Sequence, residues 1–209
     1  MAYRVIDEKP SSGVLAQLRS RLLQFLSLVE VPISAEDILP HLPYDGCFEE
    51  RAVILSRLKR HRQALTLWVH LLNSWDSALN YCARVQAEIE TKAKSEEAAV
   101  TELSLHEIYT MLIEICLNPI EPIAIGIILP GTTATHFLVI HWSFRSFFVE
   151  STNNKPDWCF KPRMDLALDV MQRFTELVDV PKVLHMLPNE TNIKMFSKFF
   201  EVSFTFLFL

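Results

Sequence analysis

A chain of 209 residues, half of them hydrophobic, can bury a substantial core in one large domain or two small ones. Its net charge of −5 argues against a dedicated nucleic-acid binder, which would carry a basic surface for phosphates. Four glycines against fourteen phenylalanines disfavour a turn-rich β-sandwich and favour helices.

The opening MAYRVIDEKP lacks the apolar centre of a signal peptide, which points to cytosolic residence. GVLAQLRSRLLQFLSLVE follows, with Leu15, Leu18, Leu22, Leu26 and Val29 recurring at three- and four-residue intervals along one helix face. Ser11 or Ser12 is placed to cap it and Pro32 to end it. Ser34, Glu36 and Asp37 predict a short helix, AEDIL, stopped by Pro40 and Pro43. Three short amphipathic helices come next with almost no linker. The first runs from Glu49 to Lys59. The second places Leu65, Trp68 and Leu72 on one side and Gln63, Thr66, His70 and Asn73 on the other. The third, capped by Ser74, lines up Trp75, Ala78, Leu79, Cys82 and Ala83.

Residues 88–102 are polar and predict a solvated connection or a helix end. Helical spacing resumes over Leu103–Leu117 and stops at Asn118-Pro119. Ile123–Phe144 carries no Asp, Glu, Lys or Arg, but Pro130-Gly131 would break a spanning helix, so two short strands or an irregular buried segment are expected. Met164–Val178 predicts a further helix with Leu168, Met171 and Leu177 inward, followed by Val180–Leu187 and Asn192–Phe200. The tail VSFTFLFL alternates like a strand at first.

A faint repeat joins the two ends. LVEVP at 28–32 leads to ILPHLP at 38–43, and LVDVP at 177–181 leads to VLHMLP at 183–188. Self-similar helix-turn-helix units in series predict an all-α fold, an α-solenoid of stacked helical hairpins with an irregular or short-strand insertion near 120–150. The chain then divides into a helical-repeat region at 1–118, the insertion at 119–160 and a helical continuation at 161–209.

Catalytic chemistry has no local support. There is no GxSxG, HExxH or Gly-rich phosphate loop, and Glu49-Glu50 suits a helix start, where the dipole favours negative charge. Cys47, Cys82, Cys116 and Cys159 are far apart and form no CxxC pair, so they predict scattered thiols rather than a metal site; no cofactor is expected. A hydrolase built from a distant Cys/His pair stays open as a remote alternative. His70 and His185 suit surface or boundary positions, and Trp68 and Trp75 suit anchors between helices.

The cluster RLKRHR, residues 57–62, is the one basic feature. Arg57, Lys59 and Arg60 are expected to close a helix against its negative dipole end, with His61 and Arg62 in the turn. Arg57, Lys59, Arg60 and Arg62 are also the candidate partner contact, and a helical-repeat nucleic-acid binder using this patch is the alternative function.

Residues 45–82, DGCFEERAVILSRLKRHRQALTLWVHLLNSWDSALNYC, resemble the clathrin-heavy-chain-type repeat of the vacuolar sorting protein 39 family, which includes the TGF-beta receptor-associated protein. Glu50, Arg51, Ala52, Leu55, Arg57, Leu58, His61, Ala64, Leu65, Val69, His70, Leu72, Ala78, Tyr81 and Cys82 carry the likeness. The DILPHLP step, the MDLALDVMQRF helix and DVPKVLHMLPNETNI extend it over roughly 14–118 and 164–200. The resemblance implies a non-catalytic subunit of class C (HOPS/CORVET-type) tethering complexes. Such a subunit assembles with the other tethering subunits, is recruited by Rab-type GTPases and sits peripherally on late endosome, lysosome or vacuole membranes, without nucleic acid. Family members also carry a β-propeller and often a Cys-rich zinc module, and neither pattern occurs in this sequence. Residues 119–160 and VSFTFLFL depart from the family pattern and are expected to be foreign to the repeat, as a retained intron would be.

Overall fold

The computed structural model describes residues 13–28, 34–42, 46–94, 106–119, 161–188, 191, 193–197 and 199–201. Among these the chain is all-α, with no strand. The elements are α1 (Val14–Ser27), α2 (Ala35–Ile38), α3 (Phe48–Arg57), α4 (His61–Thr66), α5 (Trp75–Lys94), α6 (Glu107–Leu117), α7 (Met164–Arg173) and α8 (Val180–Met186). Short 3₁₀ turns at Leu39–His41, Thr175–Leu177 and Ile193–Phe196 and a π-helical turn at Leu67–Leu71 supplement them. The expected strands and the membrane question at Ile123–Phe144, Cys159 and the VSFTFLFL tail lie outside the described residues. No described helix is long and apolar enough to cross a membrane.

Packing runs in succession from α1 to α4, and α6 then gathers four helices. α1 lies on α3, α3 on α4, α4 on α6, and α6 meets α5, α7 and α8. One apolar cluster runs from Ala52 to Phe199. Its centre is α6, where Ile108, Leu112, Ile113, Ile115 and Cys116 are all fully buried. A helix apolar over most of its circumference belongs in the interior.

The C-terminal end of α6 shows how the array closes. Four terminal carbonyls of a helix lack partners inside it. Here Glu114 O accepts from the Asn118 amide at 2.7 Å, Ile115 O meets His70 Nε2 at 2.9 Å, and Cys116 O accepts from the Arg163 amide at 2.7 Å. The last bond joins the residues on either side of 120–160, so the chain leaves and returns at one point.

Several expectations shift in detail. The N-cap of α1 is Gly13 at φ 112°, rather than a serine, and the helix ends at Ser27, before Pro32. Among the described side chains of its apolar face Leu26 is buried, whereas Leu18 and Leu22 are exposed. Ser34 does cap α2, accepting from the Asp37 amide at 3.3 Å, but Pro40 converts the helix to 3₁₀ instead of stopping it, since a proline early in a turn sacrifices no bonded N–H. Residues 88–94, expected as a solvated connection or a helix end, are the helix end, the last turns of α5, held by buried Ile89. Along α5 the buried stripe is Ala78, Tyr81, Cys82, Val85 and Ile89, and Ala83 faces solvent. The two Leu-Pro steps are alike: Leu42 and Leu187 both terminate their helices at ψ 137°, the extended state a following proline enforces.

Candidate functional site

The basic corner is built by a left-handed residue. α3 ends with Lys59 at φ 57°, while the Lys59 amide donates to Ser56 O at 3.2 Å and the Arg60 amide to Leu55 O at 3.0 Å. This pair of bonds is a Schellman motif, normally closed by glycine. The turn is therefore Leu58–Arg60, and His61 and Arg62 begin α4 rather than lying in the turn. The correction has a physical cause: His61 is buried, and a left-handed lysine lets the chain reverse two residues earlier than the charge run suggested.

The cluster's charges are largely engaged within the chain. Arg57 donates to Leu26 O at 3.2 Å, tying α3 to α1. Lys59 pairs with Glu88 of α5, both well exposed. Arg62 grips Glu114 of α6 with two bonds of 2.8 Å. Among the described residues Arg60 is the exposed member of the four with no bonded side-chain partner. The geometry thus separates the residues that the sequence grouped, and three of them act as ties between helices.

The Arg62–Glu114 tie responds to pH. The hydrogen bonds from Arg62, more than its charge alone, hold the Glu114 carboxyl below its ordinary value, against an opposing effect of burial. A depressed carboxyl stabilises the fold fully above its unfolded value and loses that contribution as pH falls through the folded one. Because both side chains are partly exposed, the pair contributes no more than about 1 kcal/mol at neutral pH. Glu114→Gln is expected to be slightly less stable at pH 7 and equal to wild type in strong acid, measured by urea unfolding across pH. A difference that stays constant over the whole range would show that the pair does not titrate with folding.

The other side chains singled out by the sequence are packing devices. Of the second-helix residues expected on the polar side, Asn73 is exposed, Gln63 and His70 are half-buried, and Thr66 is fully buried, its hydroxyl donating to Arg62 O at 2.8 Å. The π-helical turn carries His70 to α6, and because a carbonyl only accepts, Nε2–H donates to Ile115 O. Burial lowers the His70 pKa despite that bond, so this ring too favours the fold above its ordinary pKa and less below it. His185 is exposed, as expected for a surface histidine. Glu50 is fully buried and takes two bonds from Arg19 of α1, at 2.8 and 2.9 Å; Arg51 donates to Leu42 O at 3.0 Å.

His61 Nδ1 and Tyr81 Oη stand 2.6 Å apart in the interior, and the Tyr81 ring lies 4.8 Å from Trp68 and 5.3 Å below the Arg84 guanidinium. Burial pushes the Tyr81 phenol up, so its hydroxyl keeps its proton. Tyr81→Phe is expected to cost about 1 kcal/mol in urea unfolding, since one member of a buried hydrogen-bonded pair is lost. An unchanged midpoint would show that His61 does not depend on this hydroxyl. Trp75, the second anchor, donates from Nε1 to Asp169 Oδ2 at 3.1 Å and so fastens α5 to α7.

Cys82 and Cys116 are buried free thiols, and burial pushes both upward, Cys116 to about 12, which keeps them protonated and unreactive. Cys47 is the left-handed N-cap of α3. Among the described residues no group of three or more His, Cys, Asp or Glu is arranged to hold a metal ion. Among the described residues these side chains supply ties between helices and core.

Eleven of the fifteen residues that carry the family likeness are buried, and Arg57, Leu58, His70 and Leu72 are half-buried. Vacuolar sorting protein 39 of Arabidopsis thaliana is 34% identical to the chain over 101 residues, 48% of this chain and 9% of that protein. A vacuolar protein sorting-associated protein 39 homolog of Caenorhabditis elegans is 28% identical over 189 residues, which cover 88% of this chain. The chain is similar to part of vacuolar sorting protein 39. The human Vam6/Vps39-like protein agrees, at 24% identity over 194 residues and 90% of this chain. Both longer alignments run across residues 119–160, so the likeness to Vps39 is not confined to the helices on either side. This chain spans 18% of the worm protein and 17% of the human one, under a fifth of either Vps39 relative. No family profile and no solved structure matches it.

Proposed function

We propose that the chain is a non-catalytic scaffold subunit, or a piece of one, in a class C (HOPS/CORVET-type) tethering complex that serves vesicle-mediated transport and the fusion of endosomes with lysosomes or vacuoles. The observation that carries this is the likeness to Vps39 relatives over nine-tenths of the chain. Buried, protonated thiols and histidines used as ties between helices are consistent with a scaffold. Its partners would be the other tethering subunits and Rab-type GTPases, met in the cytoplasm at the surface of late endosomes, lysosomes or vacuoles.

The architecture proposed with it is an α-solenoid in which 1–118 and 161–209 form one continuous array and 119–160 is an insertion. The successive packing of α1, α3 and α4, the contacts of α6 with α7 and α8, and the Arg163–Cys116 bond at the insertion's base support that division. In the basic corner, Arg60 is the member best placed for a partner, with Arg57, Lys59 and Arg62 secondary because of their internal bonds. The same internal pairing weakens the nucleic-acid alternative.

The test is co-elution of the purified full chain with purified tethering subunits at physiological salt. A shared peak with at least one subunit is expected. Independent elution from all of them, by a chain that melts cooperatively, would overturn the proposal. Single-stranded and duplex nucleic acid at low salt form the control, because phosphate binding would be strongest there.

A further inference from the structure

A second cation joins Arg60 at the basic corner, and it comes from α5. The residues on either side of Arg60 both reach that helix: Lys59 pairs with Glu88, and His61 meets the Tyr81 hydroxyl. Arg84 lies between these two contact points, because residues at the spacing of Tyr81, Arg84 and Glu88 fall within about 60° of one another round a helix. Its guanidinium stands 5.3 Å from the centre of the Tyr81 ring, and that ring is itself pinned through its hydroxyl to His61. A guanidinium stacked on a ring still offers its in-plane N–H donors to an anion. Glu88, one turn along the same face, is the carboxylate placed to neutralise Arg84, but Lys59 takes it. Arg60 and Arg84 are both exposed and have no ion-pair partner among the described residues. The corner thus sets Lys59, Arg60 and Arg84 against the single carboxylate of Glu88.

We propose that Arg60 and Arg84 together dock an acidic segment of a partner polypeptide, each guanidinium taking a carboxylate. A local surplus of positive charge on a chain of net charge −5 calls for a negative complement, and the guanidinium fork matches a carboxylate with two parallel bonds. The phosphates of a nucleic acid fit less well, because they come in an unbroken row and Glu88 stands among the cations, where it repels that row. A membrane surface fits less well too. Among the described residues the large apolar side chains that are exposed belong to α1, its C-cap Leu28 and α8, and none flanks this corner to enter a bilayer. The inference rests on the partner contact proposed at Arg60 and gives it a chemistry and a second residue. A peptide assay contains no tethering subunit, so its outcome is read separately from co-elution.

The probe is a fluorescein-labelled peptide with a run of glutamates in a glycine–serine frame, titrated against the full chain by anisotropy at low salt. Saturable binding is expected, and Arg60→Glu and Arg84→Glu should each weaken it about fivefold or more, the scale of one exposed ion pair. Glu88→Gln should tighten it, because the local carboxylate no longer competes for the arginines. Arg21→Glu makes the same change of net charge at an exposed position of α1 and should leave the affinity unchanged. Cooperative melting of each variant shows that it is folded. Absence of saturable binding by the folded chain would overturn the proposal. So would equal weakening by Arg21→Glu, which would reduce the effect to net charge, or a Glu88→Gln chain that binds no more tightly. Single-stranded DNA or phosphatidylserine vesicles that bind more tightly than the peptide, and lose that binding with Arg84→Glu, would make another class of partner the occupant and overturn it as well.

Discussion

Arg19→Ala is expected to destabilise the chain by about 3 kcal/mol, because it leaves the carboxylate of Glu50 buried without the cation that compensates it. The Glu50 side chain has no exposed surface, and two bonds of 2.8 and 2.9 Å fix it to Arg19 across 31 residues of sequence. Burying a charge costs several kcal/mol, and the attraction between partners offsets most of that cost only while both are present. The pair should therefore show strong coupling. Arg19→Met combined with Glu50→Leu removes both charges and is expected to recover most of the stability that either single change loses. Urea unfolding of the two singles and the double gives the coupling energy directly. Additive losses would mean that the two side chains do not depend on each other and that α1 is held by Leu26 and Arg57 alone.

Leu112→Ala is the second large effect, also expected at about 3 kcal/mol. Leu112 is fully buried in α6, the helix that touches α4, α5, α7 and α8, so the surrounding side chains cannot collapse into the space from any single direction. Large-to-small changes at such sites combine lost transfer energy with a residual cavity, and together cost about 2–5 kcal/mol. Leu22→Ala on the exposed arc of α1 is the matched control and should stay within about 0.5 kcal/mol. If the two leucines cost the same, α6 is not the centre of the core.

Helix existence was legible from the sequence wherever apolar residues recur at three and four. α3, α5, α6, α7 and α8 lie where that spacing puts them. Their boundaries were less legible, for a specific reason. With four glycines in the chain, left-handed turn positions are filled instead by Cys47, Lys59 and Asn73. Lysine in particular gives no turn signal, so the corner at Leu58–Arg60 was placed two residues late. The fate of each face was legible in part. Periodicity marks an apolar stripe but not how many neighbours it meets, so α1 and the second helix erred in opposite directions. Leu18 and Leu22 of α1 were expected inside and are exposed, whereas Thr66 was expected outside and is buried because α3, α6 and the π turn enclose α4.

The basic cluster shows the same limit at the level of a site. Its charge was plain in the sequence, but its carboxylate partners, Glu88 and Glu114, come from other helices 29 and 52 residues away. Only the fold brings them together. The likeness to Vps39, in contrast, was legible because most of its characteristic residues belong to the interior: Ala52, Ala64, Ala78 and Cys82 are fully buried, and His61 and Tyr81 find each other there.

That the signature stretch is the interior of a helical array, with the basic corner as one of its turns, is the central claim, and amide hydrogen exchange of the full chain tests it most directly. Amides that open only on global unfolding mark the most stable unit of a fold. The slowest exchange is expected across 52–57, 64–72, 78–89 and 108–117, with α1 opening earlier because only one of its faces is covered. Exchange at 64–72 as fast as in α1, with the slowest amides elsewhere, would contradict it.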